Sequence, residues 1–302
     1  MNCPLCTQVS SILLRTYPVT ELNHLWIKSF GFSPFSKKRK KMIITKRQCA
    51  ECNLIYFDPP YYGDGEFYRK LSKFPWYYET IKWEFDLAAQ LISEIKPASF
   101  LEIGCGNGSF LNKITALVKR VEGIDINENA INQCIKKGLA ASTTPIKDLE
   151  KSYEIIALFE VLEHMDHLSE TIHDIVKAIS PEGHLILAVP NPEGYLKNVE
   201  INLLDMPPHH NSSWAKKTFE YVAYEYNLEI IGYYQEPLRY VHYLCYLGNI
   251  IGEHRAIMHS GVKKKLFSFI QSAFLNIFAP FAYLQHRENI VGQTHMVLLR
   301  KR

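Results

Sequence analysis

The sequence predicts an α/β protein, a doubly wound sheet preceded by a small metal-stapled module. Three observations predict it. Over residues 98–125 a strand, a glycine loop, a helix and a second strand ending in an acid follow one another. Strand-length apolar runs then alternate with helical patterns through about residue 235, the mark of repeated β–α units. Four of the seven cysteines fall in the first 52 residues, as two C-x-x-C pairs.

Composition is compatible with this. The 302 residues are 47% hydrophobic and 22% charged, which excludes disordered and collagen-like chains. The length suits one large domain with an appendage, or two domains. A formal charge of +3 argues against wholesale nucleic-acid binding. Met1–Cys6 has no basic stretch followed by an apolar core, so no secretory signal is visible. Without export, seven cysteines do not form a disulfide framework. A cytoplasmic enzyme is expected.

The first element is the pair of knuckles, Cys3-x-x-Cys6 and Cys49-x-x-Cys52. Four thiolates so paired suit one tetrahedral Zn²⁺ in a core-poor module. All four positions are protein ligands, so the zinc is structural. Four incidental buried thiols are the bland alternative, and a redox pair lacks the strand-to-helix context it needs. Residues 7–48 between the knuckles exceed usual ribbon spacing and contain the run Lys37–Lys41. That run reads as a solvated hairpin tip, with contact to phosphates of RNA, a nucleotide-linked substrate or anionic lipid as the functional alternative.

Next comes Asn53–Tyr61, an apolar strand ending in Asp58-Pro59-Pro60-Tyr61. This looks like the tetrapeptide of base-amino methylating enzymes, but it precedes the glycine loop and reads as a proline-stiffened bridge. The module therefore covers 1–62 and the main domain 63–302. Residues 66–95 read as helical, with Tyr77, Tyr78, Trp83 and Phe85 as aromatic surface.

Strand Ala98–Ile103 runs into Gly104-Cys105-Gly106-Asn107-Gly108, helix Ser109–Ile114, and strand Arg120–Ile124 ending at Asp125. The glycines let the backbone approach a ligand, and Asp125 can accept hydrogen bonds from ribose hydroxyls. A dinucleotide site wants G-x-G-x-x-G. Here the spacing is G-x-G-x-G, with Ser109 in the third slot.

Acid-x-Gly-x-Gly-x-Gly resembles motif I of class I S-adenosylmethionine (AdoMet)-dependent methyltransferases. The order continues: helix Glu128–Lys137, a short strand near Leu139–Ser142, then strand Glu154–Phe159 ending at Glu160-Val161-Leu162-Glu163-His164-Met165. A helix reaches Ile179, and Pro181-Glu182-Gly183 turns into strand His184–Val189. The resemblance covers 96–235. It implies a Rossmann-like sheet of seven strands, the last antiparallel, with AdoMet held by Glu102, Gly104, Cys105, Gly106, Asn107, Gly108, Asp125, Ile126, Phe159 and Glu160.

The ribbon, the proline-rich bridge and this domain together resemble methyltransferases of saccharide and secondary-metabolite pathways. Relatives that methylate nucleotide-linked deoxysugars carry a Glu-His or His-His pair in the loop after the strand that corresponds to His184–Val189, before a Ser-aromatic helix start. Here that stretch is Met206-Pro207-Pro208-His209-His210-Asn211-Ser212-Ser213-Trp214. His209 stands where carbon-methylating relatives often have glutamate, which favours oxygen as acceptor. A sugar hydroxyl needs a base with a pKa near neutrality, which histidine supplies. Of twelve histidines, His210 is the first choice, then His209, with His164 and His254 also on or near suitable loops. Loop histidines that only cap or pack are the bland account. For Glu163 and His164 that account is the first turn of a helix.

Strand Leu228–Tyr234 and the final strand Gly292–Leu299 are separated by a helical insertion at about 238–288. A packed lid or homodimer face is the ordinary reading. The alternative is peripheral membrane contact through 266–278 behind Lys263-Lys264-Lys265, since the polar residues and Pro280 argue against a span. The leading expectation is O-methylation of a saccharide or small metabolite. Alternatives are a zinc-ribbon rRNA or tRNA methyltransferase, a sugar C-methyltransferase, and a degenerate AdoMet-binding module.

Overall fold

In the computed structural model the described residues are 2–36, 39, 41–74, 77, 82–247 and 279–302. Lys37, Lys38, Lys40, Tyr78, His254 and the 263–278 stretch, with most of the expected insertion, lie outside them.

The chain opens with β1 (Ser11–Pro18), α1 (Val19–Phe30), β2 (Ile43–Cys49) and β3 (Ile55–Asp58). Helix α1 buries Val19, Leu22 and Trp26 against Phe35, Ile44, Phe57 and Phe67. Gly31 ends it at φ 77, its N–H bonding the Ile27 carbonyl, a left-handed cap that glycine adopts without strain. The three strands pair antiparallel. A fourth, β9 (Ser212–Ser213), joins the outer side of β3. The expected helix start at Ser212 or Ser213 is therefore wrong. These residues are extended because the free edge of β3 takes them as its partner, and the helix begins later, at Lys216.

The expected helix over 66–95 is two helices, α2 (Gly65–Leu71) and α3 (Trp83–Ile95). Asp64 caps the first, its Oδ1 accepting from Phe67 N at 2.8 Å. The interval contains Pro75, which cannot continue a helix. Phe85, expected at the surface, is buried against Phe110 and Phe159.

The main sheet follows with β4 (Ser99–Ile103), α4 (Ser109–Ile114), β5 (Arg120–Ile124), α5 (Glu128–Lys136), β6 (Ala140–Ser142), β7 (Tyr153–Phe159), α6 (Leu168–Ala178), β8 (Ile179–Pro190), α7 (Lys216–Glu225), β10 (Leu228–Pro237), α8 (Ala279–His286) and β11 (Val291–Lys301). Strand order is β10-β11-β8-β7-β4-β5-β6. β11 runs antiparallel to both neighbours, and the pairs from β8 to β6 are parallel, giving the seven-stranded Rossmann-like sheet expected. The Pro181–Gly183 turn is instead an irregularity inside a continuous β8, with Glu182 at φ 58. β4 and β7 are buried almost throughout, as central parallel strands covered on both faces must be.

One core layer joins Cys3, Cys6, Cys49 and Cys52 to Leu162, Leu168, Trp214 and Phe219. The N-terminal sheet is thus packed onto the strand ends that carry the site. No helix of the described residues is long and apolar enough to cross a membrane.

Candidate functional site

The site is built at the C-terminal ends of β4, β5 and β7, where an open parallel sheet leaves a crevice. After Ile103 the chain turns through Gly104, Gly106 and Gly108 at φ 76, 52 and 75, values that an L side chain adopts only with strain. A Cβ on Gly104 would strike the Val161 side chain, so glycine lets the loop after β7 lie on the loop after β4. Nothing stands within 4 Å of where a Gly106 Cβ would be. That side is open to a ligand.

Asp125 fastens the loop. Its Oδ2 accepts from Gly106 N at 2.9 Å and its Oδ1 from Asn127 N at 2.8 Å, which leaves lone pairs on both oxygens for ribose hydroxyls. Asn107 is held through its side chain by Ser109 and through its carbonyl by Lys137. Ile126 is 96% exposed beside Asp125. Cys105 and Phe159 lie in the core beneath the loop. Glu102 and Glu160 each keep one buried oxygen with no hydrogen-bond partner. Burial pushes both carboxyls well above the usual range, and neighbouring Glu163 adds to this for Glu160. Orphaned acceptors and an open glycine backbone fit a ligand that brings hydroxyl and ammonium donors, as AdoMet does.

Beyond the end of β7 three imidazoles converge. His164 follows Glu163 in a single 3-10 turn, Leu162–His164, and α6 begins only at Leu168, so the helix-start account does not hold. The loop after β8 brings His209 and His210. Ring centroids are 4.8 Å apart for His164–His209, 4.6 Å for His164–His210 and 4.3 Å for His209–His210. His164 Nδ1 donates to the His209 carbonyl at 2.6 Å, and His209 Nδ1 donates to the Leu204 carbonyl at 2.7 Å. His210 Nδ1 lies 3.3 Å from Asp205 Oδ1 and its Nε2 lies 3.8 Å from Glu163 Oε1. Burial, reinforced by the repulsion a protonated His210 would exert, pushes His164 down to about 3 and His209 well below the ordinary imidazole value. Both are neutral bases. Glu163 is 1% exposed, and burial pushes it up to about 7, the nearby His210 charge opposing.

The four thiols form a second cluster, with Cys3–Cys52 at 3.5 Å and Cys6–Cys49 at 3.3 Å. All four Sγ lie within 4.8 Å of one another, and none is in a disulfide. The hydrogen bond from Cys52 pulls Cys3 down to about 5, while burial pushes Cys6 up to about 12. An all-sulfur set of this size suits tetrahedral zinc.

The structure therefore brings His164, His209 and His210 together, gathers the four cysteines, and sets the glycines beside Asp125. Sequence reasoning missed Asp205, Tyr68 and Glu84. Asp205 carries the nearest signal, an acid in the same loop just ahead of Met206-Pro207-Pro208. Tyr68 Oη lies 3.4 Å from His164 Nδ1, and buried Glu84 pairs with Lys82 at 3.7 Å. Nothing in the local sequence marks those two.

Residues 80–233 match a family model described as a methyltransferase domain. Among curated proteins, a ubiquinone biosynthesis O-methyltransferase of Rickettsia bellii is 27% identical over 107 residues, 33% of this chain and 45% of that protein. Its counterpart in Alkalilimnicola ehrlichii is 24% identical over 145 residues, 43% and 59% respectively. The chain thus spans about half the length of the curated relatives it matches. Among solved structures, coclaurine N-methyltransferase bound to N-methylheliamine and SAH aligns with a TM-score of 0.47 at 16% identity, over 72% of this chain and 71% of that one. The N-methyltransferase NodS from Bradyrhizobium japonicum gives 0.45 at 16%, over 79% and 93%.

Proposed function

The chain belongs to the methyltransferase-domain family, and on that premise we propose that it transfers the methyl group of AdoMet to a hydroxyl of a small acceptor. The single observation that carries this is the cluster of Glu163, His164, His209 and His210 beside the glycine loop. A sulfonium methyl is already activated, so the protein supplies alignment and helps the acceptor lose its proton. Gly104, Gly106 and Gly108 would cradle the donor, Asp125 would take its ribose hydroxyls, and Glu102 and Glu160 would meet its polar groups. His210 stands between two carboxylates, Glu163 at 3.8 Å and Asp205 at 3.3 Å, and is the base, while His209 and His164 orient the acceptor. The O-methyltransferase names of the curated relatives support oxygen as the accepting atom.

The acceptor is a saccharide or a hydroxylated metabolite. Tyr68 and Tyr77 beside His164 and His209 offer it rings to stack on. The four cysteines hold one structural zinc. The test is methyl transfer from labelled AdoMet to sugar nucleotides, hydroxylated aromatics and RNA. Label on the first or second class supports the reading, and label on RNA alone replaces it.

A further inference from the structure

We propose that the three imidazoles of His164, His209 and His210, with the Glu163 carboxylate beside them, form a second metal site that takes one divalent ion of the zinc, cobalt or nickel class. Each ring has one nitrogen already committed. A nitrogen facing a carbonyl oxygen must carry the proton, so Nδ1 of His164 and Nδ1 of His209 are N–H donors to His209 and Leu204. Nδ1 of His210 faces Asp205. In all three rings the leftover nitrogen is Nε2. A histidine that binds a metal nearly always ties its other ring nitrogen to a carbonyl or carboxylate; His164 and His209 have that tie already, and His210 has Asp205 Oδ1 3.3 Å away to supply it.

What remains inside is a group of acceptors with no donors among the described residues. His209 Nε2 and both oxygens of Glu163 are buried without a hydrogen-bond partner. Nε2 of His164 and Nε2 of His210 each stand 3.8 Å from Glu163 Oε1. One ring nitrogen from each histidine lies within 4.8 Å of the others. Lone pairs gathered in a dry pocket repel one another and go unsatisfied. A cation answers all of them at once. The stacked rings of His209 and His210 turn on their side-chain torsions to aim both nitrogens at one ion, with metal–nitrogen distances of about 2.1 Å. Three imidazole nitrogens favour zinc, cobalt or nickel over magnesium or calcium.

This centre differs in kind from the four-cysteine site, which is closed. Three imidazoles leave room for an exogenous oxygen, as in catalytic zinc sites. Resting on the methyl-transfer reading, that oxygen is the acceptor hydroxyl. The ion lowers its pKa and its proton leaves to water. The oxygen then forms the new bond to the methyl carbon as the carbon–sulfur bond breaks, its electron pair staying on sulfur. The ion thus takes over from His210 the task of assisting proton loss. Binding of the ion itself does not depend on that reading.

The experiment is zinc stoichiometry on the full chain, saturated with zinc and desalted. Two zinc per chain are expected in the wild type, and one in His209→Gln and in His210→Gln. Cobalt distinguishes the sites, since only the four-cysteine site gives thiolate charge-transfer absorption. The second equivalent should appear without it and vanish in the histidine variants. Asp205→Asn should weaken the second equivalent about tenfold to a hundredfold. One zinc in the wild type overturns the proposal, as do two in the His209→Gln/His210→Gln double variant. The wild-type count requires no variant to fold. Calorimetry of AdoMet on the same protein tests the methyl-transfer reading separately.

Discussion

The side chain of Asn211 bonds both polar groups of the Tyr61 backbone: Oδ1 accepts from Tyr61 N at 2.9 Å and Nδ2 donates to Tyr61 O at 3.1 Å. Its own backbone N–H donates to the Glu163 carbonyl at 2.8 Å and its carbonyl accepts from Phe57 N at 3.2 Å. One buried residue thus links the bridge after β3, the histidine loop and the turn after β7.

Asn211→Ala should therefore destabilise the protein by on the order of 1–3 kcal/mol, because it leaves two partly buried backbone groups of Tyr61 without this partner. Urea unfolding measures it. Turnover should fall while AdoMet affinity stays within about twofold, since the glycine loop is untouched. Unchanged stability would mean that water replaces both bonds.

Asp125→Ala should weaken AdoMet by about 1–3 kcal/mol, read by calorimetry. The loss has two sources, the ribose contact and the bonds to Gly106 and Asn127. Asp125→Asn keeps an acceptor for one of those amides and should lose less. Wild-type affinity in the alanine variant would remove Asp125 from the donor site.

His210→Ala should lower turnover by roughly 10²–10⁴ and leave AdoMet affinity nearly intact. Single-turnover kinetics with saturating donor separates the two. An equal loss of donor binding would show that the loop supports the fold instead.

Cys49→Ser should abolish zinc at the four-cysteine site and lower the thermal midpoint by about 5–10 °C. These thiols share a core with Trp214 and Leu162, so near-ultraviolet circular dichroism of the main domain should change with them. An unchanged midpoint would make the thiols incidental.

His295, fully buried against Phe219 and hydrogen-bonded to Tyr233 at 2.8 Å, is pushed down to about 4 by burial, a backbone bond to Trp214 partly opposing. The unfolded chain takes this proton first, near pH 6.5. Its contribution is therefore present above pH 6.5 and drains away as pH falls toward 4, by on the order of 3 kcal/mol. His295→Gln should flatten the acid limb of stability between pH 7 and 4. Parallel limbs in both proteins would assign the loss to other groups.

The strands, the glycine loop and Asp125 were legible because each is written in short-range pattern: apolar runs, small residues at a turn, an acid at a strand end. The histidines could be named from loop position alone. Their convergence with Glu163 could not, since 163 and 210 meet only through the sheet. β9 was misread because its two residues carry no periodicity and are extended only where β3 offers an edge. The break between α2 and α3 was available in Pro75, which aromatic content on both sides overrode.

The pairing of β9 with β3 carries a consequence for synthesis. On the ribosome β1–β3 and their four cysteines emerge long before the last strand of their sheet, which is not made until Ser212 and Ser213 leave the tunnel. Until then β3 shows an open edge, the kind that recruits stray strands. Early metal capture would hold β2 and β3 in register through that wait, so zinc starvation should appear first as aggregation of nascent chains and only later as loss of the mature protein.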